Sequence, residues 1–113
     1  MNTYTVVISN QAKEDISNIY DYILNVLKSN INADAVLNRL YSAMTDLSFM
    51  ADSYRFYPKE PWKTKGLRYF FVGNYAVFYH VKQNIATIIH VCYGKRDLDD
   101  ALTEIKMKDK NDC

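Results

Sequence analysis

Cysteine, glycine and proline are all scarce in this chain of 113 residues, which holds two cysteines, three glycines and two prolines. The cysteines, Cys92 and Cys113, have neither the spacing of a metal site nor the number that a secreted disulfide framework needs. We interpret them as a buried strand thiol and a thiol in the tail. Glycine-rich phosphate loops, zinc-ligand spacings and Ser-His-Asp patterns are also missing from the sequence. We therefore predict no metal site and no cofactor.

Long apolar runs and a strong charge of either sign are missing as well. No stretch approaches the roughly 18 apolar residues of a membrane-spanning helix, and the N-terminal region has no apolar signal core. The formal net charge of +1 gives no general reason to expect binding to nucleic acid or to membranes. We expect a cytoplasmic protein with no membrane partner. The length and the 49% of apolar residues predict one domain over residues 1–113.

The N-terminal half has the pattern of a strand followed by two amphipathic helices. Residues 3–8 alternate in polarity, which predicts a short strand, and Ser9 or Asn10 can cap a first helix of about five turns. Asn32 can cap a second helix. The short link between them favours an antiparallel helical hairpin, whose combined apolar side needs a sheet as its partner. The two predicted apolar stripes are Ala12, Ile16, Ile19, Tyr20, Ile23 and Leu27, and then Val36, Leu37, Leu40, Ala43, Met44 and Leu47.

A basic and aromatic segment without periodicity follows the helices at residues 51–65. Pro58 and Pro61 exclude a regular helix there, and we expect Trp62 to pack down on the domain. Positive charge concentrates here, because Arg55 to Arg68 contains five Lys and Arg residues against one Glu.

Three β-rich runs separated by short turns dominate the C-terminal half. The predicted strands span residues 67–72, 75–82 and 85–93, with turns at Gly73-Asn74 and Gln83-Asn84. Asp97 can cap a last short helix with Leu98, Ala101, Leu102 and Ile105 on its apolar side, and the charged tail from about residue 107 is expected to fray. The predicted fold class is α+β: an N-terminal strand, a hairpin of two helices packed on an antiparallel β-sheet formed by the three-strand meander, and a short C-terminal helix.

Two-residue turns predict which strand residues share a face of the sheet. We expect the helices to cover one face and the other to be an aromatic, partly open surface that carries His80. A single β-bulge would move Arg68 to the other face of the sheet. The predicted helix-covered set is Arg68, Phe70, Tyr75, Val77, Tyr79, Ile88 and His90, and the other set is Leu67, Tyr69, Phe71, Ala76, Phe78, His80, Thr87, Ile89 and Tyr93.

This order of elements, together with four local motifs, resembles the RelE/ParE superfamily of bacterial toxins. The motifs are the helical A-x-x-D-I-x-x-I-x-x-Y-I at residues 12–23, GLR at 66–68, GNYAVFYHV at 73–81 and IHVCYGKRD at 89–97. The resemblance covers roughly residues 3–105. It implies a small toxin of a type II toxin-antitoxin system, made beside a cognate antitoxin protein that wraps it and blocks its site.

The resemblance implies two different targets. ParE-like toxins poison DNA gyrase and do not cut RNA, whereas RelE-like toxins enter the ribosome and cut messenger RNA. The RNA-cutting pattern has basic residues on the first meander strand, an arginine after the tyrosine of the second, a Gly-Lys-Arg end and a C-terminal tyrosine or histidine. Here Arg96 matches the Gly-Lys-Arg arginine and Arg68 lies in the basic region, but Ala76 and Leu102 stand at the other two positions. We therefore favour gyrase, with ribosome-dependent mRNA cleavage or an inactive toxin-fold binding module as the alternatives.

The candidate site residues each have a structural alternative. Our catalytic candidates are Arg96, which could instead pair with a nearby aspartate, Arg68, which could pair with Asp15 or Asp21, and His80, which could simply be packed. The candidates for nucleic-acid or target binding are Lys63, Lys65, Tyr69, Tyr93 and Lys95. For the two loop lysines, which lie near Trp62, the alternative is a solvated loop with an anchoring tryptophan.

Overall fold

Four strands and two helices make up residues 3–94, the part of the chain that this computed structural model describes. In chain order they are β1 (Thr5–Ile8), α1 (Asn10–Asn25), α2 (Asn30–Met50), β2 (Arg68–Val72), β3 (Tyr75–Lys82) and β4 (Ile85–Tyr93). The sheet order is β1-β4-β3-β2, with β1 parallel to β4 and the other neighbours antiparallel. The α+β prediction, including the three-strand meander, is confirmed. The predicted C-terminal helix lies outside the described residues.

The helix ends follow the local capping chemistry, with one correction. Ser9 caps α1 as predicted, because the backbone N–H of Ala12 donates to its Oγ over 3.1 Å. The cap of α2 is Ser29 and not Asn32, whose own N–H donates to Ser29 Oγ over 3.2 Å. The second helix therefore starts earlier than predicted, and Leu27 falls beyond the end of α1, where it is exposed.

The main hydrophobic core lies between the helices and one face of the sheet. The second predicted stripe lies wholly in it, whereas the first contributes only Ala12, Ile16 and Ile19. Ile23 is buried outside this core, Leu27 is exposed, and the Tyr20 hydroxyl donates to Asp34 at the surface. On the sheet side, the first strand pairing is regular and places Arg68, Phe70 and Tyr75 on this face, as predicted. The buried members of the core are Ala12, Ile16, Leu40, Met44, Leu47, Ala51, Phe70, Val77, Tyr79, Ala86, Ile88 and Val91.

The other face of the sheet is partly covered by a second, smaller cluster. Tyr57 from the segment between α2 and β2 lies edge-on against Phe78 and Tyr69, with ring centroids 5.8 and 5.4 Å away. The buried residues of this cluster are Tyr57, Leu67, Ala76, Phe78 and Cys92, with Trp62, Tyr69 and Ile89 packed around them. The packed Trp62 confirms that this segment folds down on the domain. It also makes the second face less open than the sequence predicted.

A β-bulge between β3 and β4 corrects two of the predicted positions. Phe78 pairs with His90 and Tyr79 pairs with Ile88, so Ile89 is the extra residue on β4. Beyond the bulge, the register places Tyr93 opposite Tyr75 on the helix side instead of the second face. It also places His90 opposite Phe78, whose ring it stacks on with 6.4 Å between centroids, and not with the helix-covered set.

Asp15 of α1 closes the part of the β4 edge that β1 does not reach. The strand β1 ends at Ile8, and no other strand in the described part of the chain pairs with the outer edge of β4 beyond that level. The carboxylate of Asp15 accepts hydrogen bonds there from the backbone N–H of Val91 at 3.0 Å and from Nδ1 of His90. Its other oxygen accepts from Nε2 of Gln11 over 2.8 Å. One buried carboxylate thus joins the first helix to the last strand.

Candidate functional site

The segment between α2 and β2 is fastened along the outer edge of β2. The N–H of Tyr57 donates to the carbonyl of Leu67 over 2.8 Å, and the N–H of Tyr69 donates to the carbonyl of Arg55 over 3.2 Å. These bonds continue the sheet by a short stretch of antiparallel pairing. They hold the basic and aromatic residues of the segment beside the sheet.

The turn at the far end of this segment is stabilised by Glu60. Its carboxylate accepts hydrogen bonds from the N–H of Thr64 at 2.8 Å and from the Thr64 hydroxyl at 2.5 Å. The Thr64 hydroxyl, followed by its N–H, lowers the pKa of Glu60. These two bonds hold the turn that carries Trp62 and Lys65. A backbone bond closes the same turn, because the N–H of Leu67 donates to the carbonyl of Trp62 over 3.0 Å.

A cleft of about 350 Å³ opens where this turn meets the start of α1 and the middle of the sheet. It brings together two of the predicted site residues, Lys65 and His80. The full lining is Ser9, Gln11, Trp62, Lys65, Leu67, His80 and Ile89. The cleft thus combines an ammonium group, an imidazole and an indole ring, which is a chemically varied set for so small a space.

Trp62 and Lys65 form one wall of the cleft. The Nζ of Lys65 lies 5.6 Å from the centroid of the Trp62 ring, within the range of a cation–π contact. The lysine is exposed, whereas the tryptophan is half-buried because it also packs against the second cluster. Lys63, the other predicted lysine of this turn, is exposed and does not line the cleft.

His80 of β3, which pairs with Thr87 on the neighbouring strand β4, also lines the cleft. The side chain is half-buried. Burial lowers the pKa of His80, and the nearby charge of Lys82 lowers it further. The imidazole is therefore mainly neutral at pH 7, so it has one nitrogen that donates a hydrogen bond and one that accepts. Such a group can bind a ligand hydroxyl or take up a proton.

Arg68 points away from the cleft, to the helix side of the sheet. Its Nη1 donates to the carbonyl of Tyr54 over 2.6 Å and to that of Asp52 over 3.4 Å, and its guanidinium lies 4.0 Å from the centroid of the Phe56 ring. The alternative that the sequence suggested, an ion pair with an aspartate of α1, is wrong. The arginine instead binds the backbone that follows α2.

The two predicted tyrosines lie on opposite faces of the sheet. Tyr69 is half-buried in the second cluster, stacked on Phe78 with 6.0 Å between centroids and with Arg55 5.7 Å above its ring. Tyr93 lies on the helix side against Tyr75. The predicted binding residues therefore do not form one continuous surface. Lys95 and Arg96 lie outside residues 3–94, so the position of the Gly-Lys-Arg end is described only as far as Gly94.

Ala76 has no exposed surface. It belongs to the second cluster with Tyr57, Phe78 and Cys92, and it pairs with Cys92 across β3 and β4. The position at which the RNA-cutting branch carries an arginine is thus filled by apolar packing.

Sequence reasoning missed Ser9 and Gln11 as residues of the cleft. The only signal for Ser9 was its suitability as a helix cap, and Gln11 gave none. Both reach the cleft because β1 pairs in parallel with β4, which brings the start of α1 beside Ile89. Ser9 Oγ donates to the Ile89 carbonyl over 3.3 Å. Ser9 and Ile89 are 80 residues apart in the sequence, so no local sequence pattern predicts their contact.

A second groove, of about 600 Å³, lies on the helix side near the turn between β2 and β3. Its lining is mostly aromatic and aliphatic: Asn18, Ile19, Tyr22, Leu27, Asn74, Tyr75 and Tyr93. Near it, the last turn of α1, the link between the helices and the first turn of α2 leave Tyr22, Val26, Leu27 and Ile31 between 55% and 82% exposed. This is a large amount of exposed apolar surface for one end of a small domain.

Residues 3–94 contain neither a candidate metal site nor a candidate membrane-spanning helix. No three His, Cys, Asp or Glu side chains come together there in a way that could hold a metal ion. None of the helices in this part of the chain is long and apolar enough to cross a membrane.

Comparison with solved structures identifies the fold. The chain is similar to the chromosomal ParDE toxin-antitoxin system from P. aeruginosa, with a TM-score of 0.67 and 19% identity over 80% of this chain and 96% of that one. It is also similar to the RelBE2 toxin-antitoxin complex from Mycobacterium tuberculosis, with a TM-score of 0.59 and 18% identity over 80% of this chain and 98% of that one. A third similar structure is the archaeal RelE-RelB complex from Pyrococcus horikoshii OT3, with a TM-score of 0.56 and 15% identity over 84% of this chain and 99% of that one.

Comparison at the level of sequence identifies the family. No curated protein matches the chain significantly. The family described as the ParE toxin of the type II toxin-antitoxin system parDE matches residues 6–98, which is most of the chain. The protein therefore belongs to the ParE toxin family of type II toxin-antitoxin systems, within the RelE/ParE superfamily.

Proposed function

We propose that this toxin inhibits growth by acting on DNA gyrase and that a cognate antitoxin neutralises it. The observation that carries the choice of target is the packing around Ala76. This position has no exposed surface and lies among apolar side chains, so no charged group reaches a phosphate from there. RNA cleavage of the RelE type depends on charged groups placed around the reacting phosphate, and losing one typically costs roughly 10²- to 10³-fold in rate.

The environment of Arg68 supports the same choice. Its guanidinium is occupied by the carbonyls of Tyr54 and Asp52 and by the ring of Phe56. It lies on the face of the sheet opposite to His80, so the two residues do not act on one phosphate. Membership of the ParE family supports the assignment too, because gyrase is the target that the resemblance to ParE-like toxins implies.

The exposed apolar surface at the tip of the helical hairpin supports the proposal of an antitoxin partner. The similar structures from P. aeruginosa, M. tuberculosis and P. horikoshii are toxin-antitoxin pairs. Tyr22, Leu27 and Ile31 of this chain would lose their contact with water under an antitoxin segment. Burial of such surface is the main driving force for coupled folding and binding of a disordered segment.

Ribosome-dependent mRNA cleavage is the alternative that the cleft favours. His80, neutral at pH 7, and Lys65 could serve there as proton acceptor and phosphate ligand. Arg96, which matches the family's catalytic arginine, would be required as well. This mechanism needs a proton acceptor, charge stabilisation and a proton donor close together, and within residues 3–94 only the first two meet in the cleft.

Inducible expression of the chain in a bacterial host separates these functions. We expect a DNA-break response without site-specific cuts in translated messenger RNA, and we expect growth to stop. Cuts at translated codons would instead identify the RNA-cutting mechanism, in which case Arg96→Ala should remove most of the cleavage. Normal growth with neither response would indicate an inactive binding module.

Co-expression of the product of the adjacent open reading frame provides the control for the partner. We expect it to restore growth and to co-purify with the toxin. Growth arrest that persists with this product present would contradict the proposed antitoxin relationship.

A further inference from the structure

The cleft beside Trp62 has the features of a binding site that the proposed action on gyrase does not explain. We propose that it binds one nucleotide unit of a single-stranded nucleic acid, with the base against the Trp62 ring and the adjoining phosphate on the ammonium of Lys65. The proposal does not depend on whether the toxin acts on gyrase. It concerns the geometry of Trp62, Lys65 and His80 alone.

The first support is the preformed shape of the cleft. Its volume of about 350 Å³ lies at the lower end of the roughly 300–1,000 Å³ that small-ligand sites occupy. The Trp62 ring is fixed by packing against the second cluster and by the backbone bond from Leu67, so it offers a stacking surface without first having to be ordered. Stacking on a fixed aromatic ring tolerates any base.

The second support is the charge around the cleft. Lys65 lies at its rim, and the charge of Lys82 is close enough to lower the pKa of His80. Between Arg55 and Arg68 the only acidic residue is Glu60, and its carboxylate is engaged by Thr64. In this segment positive charge therefore outweighs negative charge, although the chain as a whole is nearly neutral.

The imidazole of His80 suits the edge of a base or a ribose. The neutral imidazole of His80 both donates and accepts hydrogen bonds, and it faces the same space as Trp62 and Lys65. A planar ring with a cation beside it, together with an imidazole in the same cleft, matches a nucleotide better than it matches an aliphatic or cationic ligand.

The location separates this cleft from the position that the RNA-cutting branch uses. In the RNA-cutting branch an arginine stands at the position that Ala76 occupies here. Ala76 lies four residues before His80 on β3, which corresponds to roughly 13 Å along an extended strand. Ala76 pairs with Cys92, whereas His80 pairs with Thr87 near the other end of β4. The cleft is therefore a second location on the same sheet.

The chain has a single tryptophan, so its fluorescence reports directly on the cleft. We expect saturable quenching of Trp62 when the purified full chain is titrated at low salt with oligoadenylate octamers, one of ribose and one of deoxyribose. Lys65→Gln should weaken the binding roughly tenfold. It should also reduce the slope of log affinity against log salt by about 0.7, the value for one phosphate contact on a single strand.

Lys63→Gln is the matched control, because Lys63 is exposed on the same turn but does not line the cleft. We expect this variant to bind both octamers nearly as well as the unchanged protein. Stronger quenching by the ribose octamer would assign the site to RNA, and equal quenching would assign it to either nucleic acid through base and phosphate alone.

Three results would overturn the proposal. The first is the absence of saturable quenching with either octamer. The second is an equal loss of binding in the Lys65 and Lys63 variants, which would indicate diffuse electrostatic attraction to the turn. The third is an equal response to inorganic phosphate, which would show that the cleft binds an anion and makes no use of the base.

Discussion

Replacing Asp15 with alanine should lower the free energy of unfolding by roughly 3–5 kcal/mol, because it removes one partner of a buried polar group. The carboxylate accepts hydrogen bonds from Val91 N–H, His90 Nδ1 and Gln11 Nε2, and it is about nine-tenths buried. Without it, the backbone N–H of Val91 faces an apolar surface. The Nε2 of His90 is already buried with no hydrogen-bond partner among residues 3–94, so the variant leaves both ring nitrogens unsatisfied there.

Urea unfolding measures this effect, and Glu14→Ala is the matched control. Glu14 is the neighbouring acidic residue on α1 and is exposed, so its loss should change the free energy of unfolding by less than about 0.5 kcal/mol. A loss below about 1 kcal/mol for the Asp15 variant, comparable to the control, would contradict the role of this carboxylate in joining α1 to β4.

The second large effect is expected for Ala76→Arg, the change that restores the residue of the RNA-cutting branch. A guanidinium at a position with no exposed surface, against Phe78 and Cys92, has no room and no partner. Burying an unpaired charge costs several kcal/mol, so we expect a chain that is strongly destabilised or insoluble. The restored arginine should therefore not bring RNA cleavage with it.

An arginine on an exposed position of α2 controls for the general effect of adding charge. Ala35→Arg places the same side chain at an exposed site in the helix and should unfold at nearly the same urea concentration as the unchanged chain. An Ala76→Arg variant that is soluble, as stable as this control and able to cut messenger RNA would contradict the account of the second cluster.

Local turn chemistry explains why much of the sheet could be predicted from the sequence. Gly73 and Gln83 both adopt positive φ, at 57° each, and the strand ends that flank these two turns lie where the β-rich runs predict. Helix capping was less decisive, since Ser29 and Asn32 are both suitable caps and only the structure distinguishes them.

The features that could not be predicted arise from long-range contacts. Nothing in the residues around Ile89 marks the bulge, yet this one extra residue moves Tyr93 to the helix side and His90 onto Phe78. Arg68 was predicted as a site residue because it lies in the basic region of the first meander strand. The backbone carbonyls of Tyr54 and Asp52 that bind it have no sequence pattern, so this role could not be predicted.

The cleft was predictable only in part for the same reason. Lys65 and His80 were both predicted as site residues, but in different roles and without a reason to place them together. Their meeting depends on the turn held by Glu60 and Thr64, which folds Trp62 against the sheet. Gln11 joins them only because of the parallel pairing of β1 with β4.

The target itself is tested most directly with purified components. Gyrase, supercoiled plasmid and ATP are incubated with the full chain, and the linear DNA trapped by denaturing the enzyme is measured against toxin concentration. We predict that linear DNA accumulates with added toxin and that prior addition of the antitoxin abolishes the effect. Unchanged gyrase activity, together with messenger RNA cut in a translating extract at the same toxin concentration, would contradict the assignment to gyrase.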